Sequence, residues 1–367
     1  MKRFLFILII IIPLSLSLKS QSYNSYFNQF EIKGHYGITI PHHEQMKYLI
    51  NSNVGILELN YSIKTDGSKP WHHTWRFPEM GVGYILGGLG NINVFGFSQS
   101  AFWFFGVPIV ETDNFLFKYR LGGGIAFLSD KYDYRSNYYN VAIGSHLNAH
   151  LHFSLLCDYK PFDIPLYLTG GFAYNHFSNG AVETPNLGLN QVSVTMGVKY
   201  LYSLYNYSLP KNQSQYMYNS ELELSAYYAA ATKENSTYEN KKYFINSLVF
   251  DAASRITKKR SLGGGINIIY DPSLQTLMED DYNNVSNLFR IGIHAMQELY
   301  FTDNLSMPIY VGTYVMNSYK PDGKKIWIYS KLGIRYTFED LIFVNINLKT
   351  HTSVADYIEL GVGMRLY

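Results

Sequence analysis

The feature that most constrains the fold of this chain is a two-residue alternation of apolar and polar side chains, repeated from segment to segment. In residues 192–202 the apolar positions are Val192, Val194, Met196, Val198, Tyr200 and Tyr202. Small or polar side chains lie between them, and the same alternation recurs in 143–155, 218–228, 342–349 and 358–366. Because successive side chains of a strand point to opposite faces, a period of two predicts strands with one apolar and one polar face.

Composition indicates which β architecture these strands build. A membrane-spanning helix needs about 20 consecutive apolar residues, and no run after residue 20 reaches that length. Aromatic residues make up 17% of the 367 residues and charged residues 16%, with Gly at 29 positions. A helical membrane protein would be more hydrophobic, and a disordered or nucleic-acid-binding chain would be poorer in aromatic residues or more basic. These values favour a transmembrane β-barrel, which is apolar outside and polar inside.

The N-terminus predicts export from the cytoplasm. Met1-Lys2-Arg3 precedes a short apolar run interrupted by Pro13, which is typical of a secretory signal peptide over residues 1–20. The alternative, a membrane anchor, fits less well because the run is short and broken. The formal net charge of +2 includes three basic residues of this segment, so no basic patch remains to suggest nucleic-acid binding.

Alternation alone also fits a soluble antiparallel sheet with one wet face, such as a β-sandwich. The export signal, the persistence of the pattern along the chain and the tyrosines at strand ends favour the membrane instead. Strands in a bilayer must pair every backbone polar group, so they close into a barrel. With about ten residues per crossing, the sequence predicts one antiparallel barrel of roughly 12–16 strands over residues 21–367.

One stretch carries residues suited to catalysis. Leu166, Leu168, Phe172 and Tyr174 alternate along one side of a predicted strand, and His176 and Ser178 continue on that apolar face. Side chains two residues apart on a strand lie on one face with Cα atoms roughly 6.5–7 Å apart, within reach of an imidazole–hydroxyl contact. Polar groups on a lipid-facing surface cost free energy, which suggests that this pair has a purpose.

This pair predicts nucleophilic catalysis, with His176 as the base that activates Ser178. Nearby amide donors for an oxyanion are offered by Asn179, Gly180 and Asn186. Turn residues at 185–188 would fold the chain back and bring Asn190 beside the pair, where it could orient the imidazole.

The segment His176-Phe177-Ser178-Asn179-Gly180, followed by Pro185-Asn186-Leu187-Gly188, resembles the signature of the PagL-type lipid A 3-O-deacylases and related outer-membrane acyloxyacyl hydrolases. The resemblance extends over residues 30–205. It implies a barrel in the outer membrane of a Gram-negative bacterium, with the active site on the lipid-facing wall. It also implies that His176 is the base, Ser178 the nucleophile, and Asn186 with the Gly180 amide the oxyanion donors. The implied substrate is an ester-linked acyl chain of lipid A in the outer leaflet, with no cofactor.

Two departures from the family accompany this resemblance. The family usually carries a glutamate where this chain has Asn190, and Glu183 is the alternative third member, although its position before the turn disfavours it. A neutral side chain can still orient an imidazole. The compact members resemble eight-stranded barrels, so residues 206–367 lie outside the resemblance. The alternative function is therefore a non-catalytic outer-membrane barrel: a channel, an adhesin or an inactive relative.

A metal site is the other chemistry that the histidines could suggest. His146, His150 and His152 share one face of a predicted strand. Because that face points to the barrel interior, we interpret them as hydrogen-bonded interior residues and expect no metal.

Overall fold

The computed structural model describes residues 27–41, 43–202, 222–237, 241–278, 285–319, 327–351 and 354–366. The predicted signal peptide, residues 1–20, lies outside them. Within the described ranges no helix is both long and apolar enough to cross a membrane. The regular structure consists of antiparallel strands joined by loops that hold only short helices.

The first eight strands form a closed barrel, because β1 pairs with β2 on one side and with β8 on the other. A four-residue helix α1 (Glu44–Lys47) follows β1, and a five-residue helix α2 (Pro70–Thr74) follows β2. The strands are β1 (Phe27–Ile40), β2 (Val54–Lys64), β3 (Glu79–Gly88), β4 (Phe97–Glu111), β5 (Phe115–Leu128), β6 (Leu147–Tyr159), β7 (Leu166–Ser178) and β8 (Leu189–Tyr202).

The remaining strands form a second closed barrel, in which β9 pairs with both β10 and β16. Two short 3₁₀ helices, Pro272–Thr276 and Val285–Leu288, lie between β11 and β12. The strands are β9 (Leu222–Glu234), β10 (Lys242–Thr257), β11 (Arg260–Tyr270), β12 (Phe289–Tyr300), β13 (Leu305–Met316), β14 (Ile328–Phe338), β15 (Ile342–His351) and β16 (Val354–Leu366).

The all-β antiparallel prediction is confirmed, and the sixteen strands of the described ranges fall within the predicted number. The structure differs from the expected single barrel over residues 21–367, because the strands close in two groups of eight. The physical reason is that eight strands already enclose an interior just wide enough for side chains to fill. Once β8 has paired with β1, no free edge remains for β9 to join.

The alternation of side chains is observed as predicted. In β7 the interior residues Thr169, Ala173, Asn175 and Phe177 are buried, whereas Leu168 and Phe172 on the outer face are 50% and 66% exposed. The interior of the first barrel is filled by buried ion pairs among Glu31, Lys33, Glu58, Glu79, Lys118, Arg120, Asp158 and Lys199. A similar network fills the second barrel, where Lys331 pairs with Glu359 and Arg335 with Glu298.

The connections 65–78, 112–114 and 160–165 of the first barrel lie at one end. Its other four connections lie together at the opposite end, which we call the loop end: residues 41–53, 89–96, 129–146 and 179–188. Apolar side chains from these connections close the barrel mouth. The buried cluster there comprises Met46, Leu89, Phe95, Ala126, Leu128, Ala142, Ile143, Phe177 and Leu189. The catalytic motif predicted from the sequence therefore lies at the rim of a packed barrel end.

The two barrels contact each other at the end opposite the loop end. Trp75, directly after α2, donates its indole N–H to the Tyr300 carbonyl oxygen at 2.9 Å. Its ring and that of Phe105, on the outer face of β4, both pack against Phe301 of the second barrel. This buried aromatic cluster joins the first barrel to the turn between β12 and β13.

Candidate active site

The end of β7 is fixed by one aromatic anchor. Phe177 is fully buried, packs in the loop-end cluster and stacks on the His150 ring with centroids 4.7 Å apart. Because neighbours on a strand face opposite ways, this anchor turns His176 and Ser178 to the outer wall, where both are half-buried. The predicted placement of this pair on the apolar outer face is confirmed.

A matching anchor fixes the facing strand. Leu189, the first residue of β8, is fully buried in the same cluster, so Asn190 faces outward. The ladder between β7 and β8 places Asn190 directly opposite His176. The turn at 185–188 thus returns the chain as the sequence predicted.

His176 and Asn190 form a short hydrogen bond, with Nδ1 of the ring 2.6 Å from Oδ1 of the amide. The Tyr174 hydroxyl donates to the same Oδ1 at 2.8 Å. Because Oδ1 can only accept, the neutral imidazole carries its proton on Nδ1 and its lone pair on Nε2. The lone pair of a basic nitrogen is what proton abstraction from a hydroxyl requires.

Two N–H donors converge on the hydroxyl oxygen of Ser178. The Gly180 backbone N–H donates to Ser178 Oγ at 3.2 Å, and Asn186 Nδ2 donates at 3.0 Å. The Asn179 backbone N–H donates to Asn186 Oδ1 at 3.1 Å, which fixes the orientation of the Asn186 amide. Donors held around a nucleophilic oxygen in this way can stabilise charge that develops next to it.

Gly188 is a further site residue, which the sequence analysis assigned only to the turn. Its φ of +78° favours glycine. A Cβ at this position would lie 3.0 Å from His176 Cε1 and 3.2 Å from the Phe177 carbonyl oxygen. Gly188 therefore lets the turn pass directly against His176 and Ser178. Tyr174 was also missed as a polar contributor, although its place two residues before His176 on the same face could have indicated it.

The side chain of Asn179 is buried by packing rather than open to solvent. Its side chain is 4% exposed, and Nδ2 donates to Ser145 Oγ and to the Glu183 carbonyl oxygen, both at 2.9 Å. The side-chain amide thus braces the loop, while the backbone N–H serves Asn186.

Glu183, the alternative third member, faces away from the imidazole. Its carboxylate lies 3.4 Å from Lys131 Nζ and 2.9 Å from Lys242 Nζ. Partial burial opposes ionisation, but the hydrogen bond from Lys242 and the charge of Lys131 hold the pKa of Glu183 below its ordinary value. Of the two candidates, the structure brings Asn190 to His176.

The wall around the pair is apolar. Ladder partners on β6 place Ala149 beside Ser178 and Leu151 beside His176, and Phe153 continues that face. Leu151 and Phe153 are 43% and 38% exposed. An acyl chain lying on this wall would meet hydrocarbon surface up to the serine hydroxyl.

His150 and His152 of β6 are interior residues, as predicted. His150 contacts Ser100 Oγ at 2.7 Å and Asn175 Oδ1 at 2.9 Å, and His152 contacts the same Asn175 oxygen at 2.8 Å. The interior placement predicted for His146 was wrong. His146 lies in the connection before β6, where it is exposed and stacks on the Phe127 ring, because the alternation of β6 begins only at Leu147. Across the part of the chain that the structure describes, no three His, Cys, Asp or Glu side chains cluster as metal ligands would.

Two family profiles match the chain. Residues 55–199 match the profile described as lipid A 3-O-deacylase (PagL), and residues 220–367 match the one described as acyloxyacyl hydrolase, C-terminal domain. Each match falls on one of the two barrels. The expectation that residues 206–367 lie outside the family was wrong: it rested on the motif at 176–188, which belongs to the first barrel only.

The solved structures that the chain matches include an outer membrane enzyme and two channels. A crystal structure of the outer membrane enzyme PagL is 16% identical, covering 46% of this chain and 97% of its own, with a TM-score of 0.29. A mutant of the TodX monoaromatic hydrocarbon channel is 9% identical, covering 94% and 89%, with a TM-score of 0.17. An outer membrane channel from Pseudomonas putida F1 is 9% identical, covering 94% and 96%, with a TM-score of 0.20. No curated protein matches the chain.

Proposed function

This chain belongs to the PagL family of lipid A 3-O-deacylases, and on that premise we propose that Ser178, His176 and Asn190 carry out its reaction. The protein is an outer-membrane β-barrel esterase that acts on an ester-linked acyl chain of lipid A. Outer-membrane barrels carry their longer loops on the extracellular side. The four connections of the loop end have 8 to 18 residues, whereas two of the three at the opposite end, 112–114 and 160–165, are short. We therefore infer that the loop end, and with it Ser178, faces the outer leaflet, where lipid A resides.

The proposed reaction begins with proton transfer. His176 Nε2 takes the hydroxyl proton of Ser178 as Oγ attacks the carbonyl carbon of the acyl ester. The carbonyl oxygen becomes an oxyanion, which accepts hydrogen bonds from the Gly180 N–H and from Asn186 Nδ2. Both donors lie within 3.2 Å of Ser178 Oγ, so an oxygen on a carbon bonded to Oγ comes within their reach.

Collapse of the tetrahedral intermediate completes the first half. The C–O bond to the sugar breaks, and the sugar oxygen takes the proton that His176 received, which leaves an acyl group on Ser178. Water then attacks this acyl-enzyme with His176 again as base. The fatty acid leaves and the proton returns to Ser178 Oγ.

Asn190 is proposed to fix the tautomer and orientation of the imidazole through the 2.6 Å contact. A carboxylate in its place would also stabilise the imidazolium, which a neutral amide does to a smaller extent. The chain can therefore catalyse the same reaction with His176 as a weaker base.

The observation that carries this proposal is a serine that receives two N–H donors and lies two residues along the same outer face of β7 from an oriented imidazole. The channel form of the alternative function has less support, because buried ion pairs occupy both barrel interiors.

The test is release of fatty acid from purified lipopolysaccharide by the full-length protein in detergent. Ser178→Ala and His176→Ala are each expected to abolish release while the barrel keeps its heat-modifiable migration in electrophoresis. Release at the wild-type rate by Ser178→Ala would contradict the proposal.

A further inference from the structure

The segment that carries both oxyanion donors, residues 179–188, is held from outside by the second barrel. We call this segment the donor loop. Glu234, the last residue of β9, accepts from the Thr184 backbone N–H at 2.6 Å and from the Thr184 hydroxyl at 3.3 Å through one carboxylate oxygen. The Glu234 backbone N–H in turn donates to the Ala181 carbonyl oxygen at 3.0 Å. One residue of the second barrel thus binds the donor loop at two points.

This contact is shielded from water. Glu234 is 7% exposed, and the Thr237 hydroxyl lies 3.0 Å from that of Thr184. A hydrogen bond to a carboxylate is roughly twice as strong as one between neutral groups, and burial removes much of the competition from water. The neighbouring pair of Lys242 with Glu183 is more exposed and contributes less.

A second strand of the same barrel packs on the donor loop next to the nucleophile. A Cβ on Gly180 would lie 2.4 Å from Ile358 Cγ1, so β16 lies directly against the backbone that presents the Gly180 N–H. Gly180 has a φ of +62°, which favours glycine as well. The amide that donates to Ser178 is therefore enclosed between the two barrels.

Oxyanion donors act only when their positions are fixed before the reaction. Small displacements are costly, because a misplacement of about 1 Å can lower the rate about a hundredfold. Asn179 ties the donor loop to the first barrel through Ser145, and the Gly188 N–H does so through the Ala142 carbonyl oxygen at 2.9 Å. Its ties to the second barrel are Thr184 and Ala181.

We propose that Glu234 is a positioning residue for ester hydrolysis, and that the second barrel serves as the outer support of the active site on the first. This inference rests on the proposed function, since it assigns Glu234 a role through Gly180 and Asn186. The second barrel then contributes to catalysis through the position of the donor loop.

The test compares full-length variants in hydrolysis of purified lipopolysaccharide. Glu234→Ala is expected to lower kcat by about tenfold to a hundredfold with little change in KM, because the support acts on transition-state donors. Glu234→Gln keeps a side-chain oxygen that can accept from Thr184, so it is expected to recover most of the loss. Asp303→Ala, which removes an exposed carboxylate from the opposite end of the second barrel, is the matched control and should retain wild-type kcat.

A double-mutant cycle separates positioning from general loss of structure. If Glu234 acts through the donors, Glu234→Ala should cost much less in an Asn186→Ala background than in the wild type. Ile358→Ala opens space beside Gly180 and should lower kcat in the same direction, which provides a second variant should Glu234→Ala fail to fold.

The outcomes distinguish this inference from the proposed function. Wild-type kcat in both Glu234→Ala and Ile358→Ala, alongside an inactive Ser178→Ala, would overturn the role of the second barrel alone. An active Ser178→Ala would overturn the proposed function itself.

Discussion

His176 and Asn190 face each other across directly paired positions of β7 and β8, with Nδ1 and Oδ1 2.6 Å apart. Each is turned outward by a buried neighbour, Phe177 on one strand and Leu189 on the other. The contact is therefore set by strand register and core packing. This gives the imidazole a fixed orientation through a neutral amide.

Asn190→Glu is expected to raise kcat, because a carboxylate beside the ring stabilises the imidazolium that forms in the transition state more than a neutral amide does. Initial rates of fatty-acid release from purified lipopolysaccharide check this. Asn190→Ala is the control, which should lower kcat. A rate for Asn190→Glu at or below that of Asn190→Ala would contradict the assigned contact.

Glu183→Ala should keep kcat within about fivefold of the wild type, because a partly exposed ion pair is worth at most about 1 kcal/mol. Its carboxylate faces Lys131 and Lys242 instead of the imidazole. Initial rates on purified lipopolysaccharide, measured beside Asn190→Ala, check this. If Glu183→Ala loses more activity than Asn190→Ala, Glu183 is the third member after all.

Tyr174→Phe should lower kcat about fivefold, since it removes one hydrogen bond worth about 1 kcal/mol that holds Asn190. The ring and its packing on the outer face are retained. Tyr200→Phe is the matched control, because Tyr200 lies on the same outer face of β8 as Asn190. It should have no effect on kcat. Equal rates for Tyr174→Phe and the wild type would show that Asn190 is held without this hydroxyl.

Gly188→Ala should lower kcat at least tenfold while the protein still folds. The methyl group would lie 3.0 Å from His176 Cε1 and 3.2 Å from a backbone oxygen, at a φ that disfavours alanine. Gly34→Ala is the control, because a Cβ there meets no atom within 4 Å. Heat-modifiable migration reports folding of both variants. Wild-type activity in Gly188→Ala would show that the turn can move without disturbing the pair.

Side-chain orientation could be read from the sequence because a strand has a strict period of two. Leu168 and Phe172 fix the outer face of β7, and His176 and Ser178 follow in register. The same regularity predicted that His150 and His152 face the interior. The face on which each side chain lies is a local property, and the alternation along the strand determines it.

The division into two barrels could not be read in the same way. Alternation is identical in one barrel of sixteen strands and in two barrels of eight. The number of barrels is decided by the pairing of Asn28 with Tyr202, two residues that are far apart in the chain. The contact of Thr184 with Glu234 is likewise a product of how the barrels pack, and no periodic pattern encodes it.

The measurement that tests the central claim most directly is mass spectrometry of lipid A after incubation of lipopolysaccharide with the purified full-length protein. The wild type is expected to reduce the lipid A mass by one ester-linked acyl chain and to release the corresponding fatty acid. With Ser178→Ala the lipid A mass should stay unchanged. An unchanged mass with the wild type, or the same loss with Ser178→Ala, would contradict ester hydrolysis at Ser178.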